Sequence, residues 1–274
     1  LFSADSMNPW AWLAIPAVAA GIAIASHDNK DSTPDKDTTA PNAPVVNPPN
    51  AKDPITGTAE PGSTVKVTYP DGSTDTTIVG SDGKWTLPNP GLKDGDELKV
   101  TATDGAGNTS PETNVTVDAI APNPPKVNPP NGDSPITGEA EAGSTVTVTY
   151  PDGTTKEVVA DSDGKWTAPN PGLKDGDELK VTATDAAGNT SPETSATVDA
   201  TAPTAPVVNP PNGSSPITGS AEAGSTVKVT LPDGTVVSTT ADANGNWTVP
   251  NPGLTDGDQI KVTATDAAGN TSPE

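Results

Sequence analysis

The sequence predicts an all-β protein made of small sandwich domains in tandem, and three observations carry that expectation. The stretch TATDGAGNTSPE at 101–112 returns at 182–193 and 263–274 with a single change, Gly105 becoming Ala186 and Ala267. Trp85, Trp166 and Trp247 recur at the same interval; a solenoid unit runs roughly 20–50 residues, so this longer period suits a whole small domain. Within each copy β-branched residues dominate, Pro or Gly interrupts the chain about every ten residues, and no 3.6-residue apolar period outlasts one turn. Helix is thereby disfavoured.

In the first copy, residues 44–47 read as an opening strand, stiffened by Pro41 and Pro44 and stopped by Pro48 and Pro49. Residues 54–59 form the second and end in the turn EPGS. The clearest is 64–69, where Val65, Val67 and Tyr69 face one side and Lys66 and Thr68 the other. PDGS then makes a tight turn whose glycine accepts a positive φ. Residues 74–79 return, SDGK turns again, and 84–87 carry Trp85. After the loop PNPGLKDGD, Leu98, Val100 and Ala102 alternate with polar neighbours over 97–104, and 113–117 close the domain. Seven short strands at this spacing describe an immunoglobulin-like β-sandwich.

The chain therefore divides into an apolar segment (1–26), a polar acidic linker (27–36) and three repeats (37–117, 118–198 and 199–274), the third without its closing strand. Each repeat is small and its core thin, so something beyond hydrophobic burial is expected to help hold it. Disulfides are excluded, because there is no cysteine. The apolar run from Trp10 to Ala25 is shorter than the roughly 20 residues of a perpendicular membrane helix and is broken by Pro16 and Gly21. It reads as a membrane-associated or secretion-retention segment of a longer chain, with a true span, a signal-peptide remnant and a buried stretch left open.

The formal charge is −22, from 36 Asp and Glu against 14 Lys and no Arg. No basic patch exists to neutralise phosphates, which argues against a nucleic-acid partner. Catalysis has little to stand on. His27, the one histidine, lies in the linker outside the repeats, and aromatic residues for stacking a sugar are scarce.

The segments DTTAP, ITGTAEPGSTVKV, PDG, SDGKWT, LKDGDELKVTATD and AGNTSP resemble the bacterial immunoglobulin-like repeats of giant biofilm-associated proteins and other type I secreted adhesins of Gram-negative bacteria. The likeness covers residues 37–274. It implies a segment of a cell-surface, outer-membrane-associated or secreted adhesin, active in cell adhesion and biofilm formation. Its partners would be other copies, or host and abiotic surfaces reached through the parent protein, with membrane contact expected only through Trp10 to Ala25. The repeats lack the cysteine pair of antibody domains, and Trp85 sits on the fifth strand rather than the third, so the likeness to those domains is one of architecture.

Alternating strands would return Asp37, Glu60, Asp82 and the loop from Asp104 to Asn108 to one pole, where each repeat meets its predecessor. Carboxylates gathered there suggest calcium, which takes six to eight oxygen ligands. The candidate ligands are Asp37, Glu60, Asp104 and Asn108 in the first repeat, Asp118, Glu141, Asp185 and Asn189 in the second, and Asp199, Glu222, Asp266 and Asn270 in the third. Asp104 continues the inward register of Leu98, Val100 and Ala102. Its other reading is a turn cap, bonded to the amides of Ala106 or Gly107. Asp71, Asp94 and Asp96, at the opposite pole, match ordinary Asp-Gly turns, with ligation across the junction as their second reading. A stalk made rigid by calcium is the leading expectation, and a binding module for carbohydrate, host protein or further copies is the alternative.

Overall fold

A computed structural model of the chain describes residues 36–274. The apolar segment and nearly all of the linker lie outside the described residues. Residues 38–274 form one compact unit, and among the described residues every regular element is a strand.

Strands β1 (Val45–Val46), β2 (Ile55–Thr58), β3 (Thr64–Thr68), β4 (Thr74–Ile78), β5 (Lys84–Leu87), β6 (Glu97–Thr103) and β7 (Thr113–Thr116) build the first repeat. They fall where alternation and turn residues place them: β5 has the expected bounds, β1 and β2 are one residue shorter at each end, and the other four end one residue earlier. One sheet has the order β1-β2-β5 and the other β4-β3-β6-β7. All neighbours are antiparallel, with Val65 opposite Ala102 and Val67 opposite Val100. The inward alternation is strict: Val65, Val67, Leu98, Val100 and Ala102 are fully buried, while Lys66 and Lys99 face water.

Trp85 seals the core from the opposite sheet by lying over the backbone of Gly57. A Cβ at Gly57 would stand 2.7 Å from Trp85 Cζ2 and 2.1 Å from the carbonyl oxygen of Val45, so only glycine fits. The same pairing recurs as Gly138 with Trp166 and Gly219 with Trp247. The PDG turn between β3 and β4 puts Gly72 at φ 82°, and Asp71 Oδ1 accepts the amide of Ser73 at 2.9 Å.

The second repeat repeats this plan with β8 (Lys126–Val127), β9 (Ile136–Glu139), β10 (Thr145–Thr149), β11 (Thr155–Val159), β12 (Lys165–Ala168), β13 (Glu178–Thr184) and β14 (Thr194–Thr197). The third has six: β15 (Val207–Val208), β16 (Ile217–Ser220), β17 (Thr226–Thr230), β18 (Val236–Thr240), β19 (Asn246–Val249) and β20 (Lys261–Thr265). β20 is two residues shorter at its start than β6 and β13. In those strands the extra residues, Glu97 and Leu98 in β6, pair with β7, and among the described residues the third repeat has no such partner.

Candidate inter-repeat junction

Antiparallel pairing brings the start of β3 against the end of β6, Thr64 opposite Thr103. The Glu60 turn and the loop from Asp104 to Asn108 therefore share one pole, as the alternation of strands requires. In the second repeat the corresponding loop, Asp185 to Asn189, is closed by its own acid. Asp185 Oδ1 accepts the amides of Ala187 and Asn189, each at 2.9 Å, and Oδ2 accepts the side-chain amide of Asn189 at 2.9 Å. Asp104 and Asp266 make the same Oδ2 bond with Asn108 and Asn270. In the first repeat this network, led by the Asn108 side chain and joined by the amides of Asn108, Ala106 and Gly107, holds the Asp104 carboxyl below its ordinary range.

The linker between repeats is tacked down on both sides. Val117 ends the first core, and Pro122, five residues on, is buried again. Between them the amide of Asp118 donates to Pro49 O at 3.0 Å, and the amide of Ala119 donates to Asp94 Oδ1 at 2.9 Å. The carbonyl of Asp118 accepts Asn189 Nδ2 at 2.8 Å from the following repeat. Every one of these bonds recurs one repeat on, through Asp199, Pro130, Ala200, Asp175 and Asn270.

A second bond crosses the junction directly. Asn50 Nδ2 donates to Ala187 O at 2.7 Å, and Asn131 Nδ2 donates to Ala268 O at 2.7 Å. Both asparagines are buried, at 5% and 9% exposure. Each is locked locally: Asn50 Oδ1 accepts the amides of Lys52 and Asp53, and its carbonyl accepts Asn89 Nδ2. Gly188 follows at φ 87°, which suits glycine, and a Cβ there would make only an ordinary contact with Asn50 Nδ2, at 3.4 Å.

The candidate ligands can now be placed. Asp118, Asp185 and Asn189 do come together, as do Asp199, Asp266 and Asn270, but they are joined by donors. Asn189 stands between two acceptors, a carbonyl and a carboxylate, and so presents its NH₂ group where a cation would need oxygen. Glu60, Glu141 and Glu222 sit exposed in their turns, and it is their backbone carbonyls that are engaged, accepting Ser63, Ser144 and Ser225. Asp37 is exposed. Among the described residues no group of three or more His, Cys, Asp or Glu is placed to hold a metal ion. The arrangement as it stands does not fit a calcium cage.

Asn50 and Asn131 escaped the sequence reading, which weighed oxygen donors and carboxylates alone. Their signal was present all the same: PPN recurs at 48–50, 129–131 and 210–212, always one repeat apart. Asp94, expected first as a turn residue and second as a ligand across the junction, accepts the Ala119 backbone amide there.

No curated protein matches this chain. Among solved structures it resembles a biofilm-associated protein BSP domain at 24% identity and a TM-score of 0.28, over 58% of this chain and 29% of that one. It also resembles fibronectin(III)-like modules of Clostridium thermocellum CbhA at 20% identity and a TM-score of 0.33, over 60% of this chain and 90% of that one. SGBP-B of the Bacteroides ovatus mixed-linkage glucan utilization locus, solved in complex with a mixed-linkage heptasaccharide, aligns at 18% identity and a TM-score of 0.25, over 90% of this chain and 67% of that one. These likenesses concern the fold. The sequence itself matches the bacterial Ig domain family over residues 40–119, 121–200 and 202–274, each span holding one sandwich, and the chain belongs to that family as three tandem copies.

Proposed function

We propose that this chain is a non-catalytic stalk segment of a bacterial cell-surface adhesin, spacing a distal binding region from the cell in adhesion and biofilm formation. The observation that carries the reading is the junction. A linker bonded to the repeat before it and the repeat after it, beside a buried asparagine bond, restricts the hinge that a free linker would allow. Family membership and the order of the repeat motifs support the same reading. Small-angle scattering of the chain tests it: the wild type keeps a long, narrow distance distribution, and the paired variant Asn50→Ala with Asn131→Ala broadens it. Equal flexibility in both would overturn the reading.

Calcium is a separate question that the same samples answer. With the Asp185 and Asp266 carboxylates and the Asp118 and Asp199 carbonyls accepting N–H donors, calcium acts as a screening cation, and it raises the melting temperature no more than sodium chloride of equal ionic strength. A calcium-specific rise reversed by chelator would restore the metal-stiffened stalk.

The binding-module reading has one feature in its favour, an open groove of about 720 Å³ along the edges of β4 and β5, lined by Asn47, Thr56, Thr77, Lys84 and Trp85. Its tryptophan is only 3% exposed and offers no ring face for stacking a sugar. The stalk therefore remains the better account.

A further inference from the structure

Each sandwich leaves one seam between its two sheets open. Strands β4, β11 and β18 each stand last in their sheets, and among the described residues none of them pairs on its outer side. The first two belong to repeats that another repeat follows, so the open edge is a property of the fold itself. Along β18 the bonds to β17 fall at Val237 and Thr239, in step with Leu231 N donating to Thr235 O at 2.8 Å and Ala241 N to Ser225 O at 3.0 Å. Antiparallel bonds alternate in direction residue by residue, so the N–H and C=O groups of Val236, Ser238 and Thr240 point outward from the sheet edge. A row of such groups is a template for one more strand.

The three edges differ in charge. β4 (TDTTI) carries Asp75 and β11 (TKEVV) carries Lys156 and Glu157, but β18 (VVSTT) carries no charge in an otherwise acidic chain. Charged residues on an edge are a usual guard against pairing with a second sheet, and the third edge lacks that guard. Val236 on it is 53% exposed. The contrast is sharpest at the middle of each strand, where Thr76, Glu157 and Ser238 correspond. About a two-fold axis through that residue, Glu157 would face its own copy directly and Asp75 would lie diagonal to its copy, whereas Ser238 would meet only Ser238. Beside β18 an open groove of about 400 Å³, lined in part by Thr239, Thr240 and Trp247, gives room for the side chains of a further strand.

We infer that the β18 edge, Val236–Thr240, is a docking surface for the same edge of a second copy of this chain, the two strands pairing antiparallel about a two-fold axis at Ser238. The two Ser238 residues would exchange both backbone bonds, and Val236 of each copy would exchange both with Thr240 of the other, which satisfies every outward group of the strand. The sheet β18-β17-β20 would continue into its copy, three strands from each. On the outer face Val236 gains the β-branched Thr240 as a cross-strand neighbour, and on the inner face Val237 of the second copy comes opposite Thr239 at the mouth of the groove. The contact is isologous and closes at two copies. Asp233 and Asp242 of opposite copies flank each end and the paired area is small, so the dimer belongs to high protein concentration and screening salt. Nothing in it draws on the junctions between repeats, so it goes beyond the stalk reading and is tested apart from it.

Sedimentation equilibrium of the full chain, from micromolar to millimolar in about 0.15 M sodium chloride, reads the pairing. The weight-average mass of wild type should rise with concentration toward twice that of one chain and level there. Ser238→Pro removes only an N–H that faces outward, which an edge strand tolerates, and should stay monomeric. Ser238→Lys is the second variant: its side chain is exposed and leaves the bonds to β17 alone, but it faces its own copy, with Lys228 beside it, and should also stay monomeric. Ser238→Glu added in equal amount should draw the Lys chain into mixed dimers, since a two-fold at this residue sets the two side chains face to face. A peptide copying residues 235–241 should displace the second copy. A neutral peptide of unrelated sequence that displaces it equally well would assign the edge to extended peptides at large and overturn the second copy as its occupant. A wild type that stays monomeric throughout or grows past two copies, a Ser238→Lys chain that associates as wild type does, or a Lys and Glu mixture that stays monomeric would each overturn the proposal. None of these results touches the stalk reading, because Asn50 and Asn131 are unchanged in every variant.

Discussion

Asn50 Nδ2 stands 2.7 Å from Ala187 O, joining two residues 137 apart in sequence and two separate hydrophobic cores. Each core on its own is small, and the bond links the fate of one to that of the other. Replacing Asn50 by Ala leaves a buried carbonyl without its donor and strips the local cap from Lys52 and Asp53. The expected loss is about 1–3 kcal/mol at the junction. Differential scanning calorimetry checks this: the coupled transition of the first two repeats should separate into resolved components.

Gly57 is the position most sensitive to a single methyl group. In Gly57→Ala the new Cβ would fall 2.1 Å from the backbone oxygen of Val45, which cannot yield as a flexible side chain could. A strained strand pair and a displaced Trp85 are expected to cost on the order of 3 kcal/mol or more, a large part of the stability of so small a domain. With the other four tryptophans replaced by Phe, Trp85 fluorescence during denaturant unfolding should report an early transition confined to the first repeat.

Much of this was legible in the residues. Alternation marked the strands at 64–69 and 97–104, since a half-buried sheet must repeat with period two, and Pro and Gly bounded the other five because few other residues suit the turns between them. The convergence of Asp118, Asp185 and Asn189 followed from strand direction alone. What was hidden was the direction of the hydrogen bonds. An asparagine offers oxygen or N–H at the same site, and only its neighbours decide which, so Asn189 reads equally well as ligand or donor until Asp118 O and Asp185 Oδ2 are seen beside it.

Acid should weaken the fold late. Asp104, Asp71, Asp152 and Asp233 are all held below the ordinary 3.8, Asp104 first by the Asn108 side chain, Asp71 and Asp152 first by the hydroxyls of Ser73 and Thr154, and Asp233 first by the amide of Thr235. A carboxyl depressed in the folded state stabilises fully above its unfolded value and loses that contribution as pH falls through the folded one. The melting temperature should therefore change little on this account between pH 7 and 5 and fall below about pH 3.8, in small steps, because these groups face solvent. Asp104→Asn should flatten that acid limb.

Alkali acts through Tyr69, whose hydroxyl donates to Asp75 Oδ2 at 3.0 Å. Burial, and then the Asp75 bond and charge, push it from 10.0 up to about 12. The sign is opposite to that of the acids: a raised folded value gives stability that is complete below 10.0 and lost as pH rises through about 12. Ultraviolet titration of tyrosinate should show Tyr69 ionising late while the chain is folded, and Tyr69→Phe should remove that part of the alkaline dependence.

The third repeat should melt first in this chain. Leu98 and Leu179 are fully covered, by β6 pairing with β7 and β13 with β14, whereas Ile260 in the equivalent position is half-buried and Val262 is 5% exposed against 0% for Val100. The third core therefore lacks both a strand of backbone hydrogen bonds and the apolar cover that a side chain such as Val117 gives the first. Each fully buried aliphatic side chain contributes about 1.5–3 kcal/mol, and partial exposure forfeits a share of that. Trp247 lies in the same core, so replacing Trp10, Trp12, Trp85 and Trp166 by Phe would leave its fluorescence as the reporter of this repeat. Its transition should precede the calorimetric transitions of the other two, and extending the chain by a strand matching Thr194–Thr197 should move it toward them.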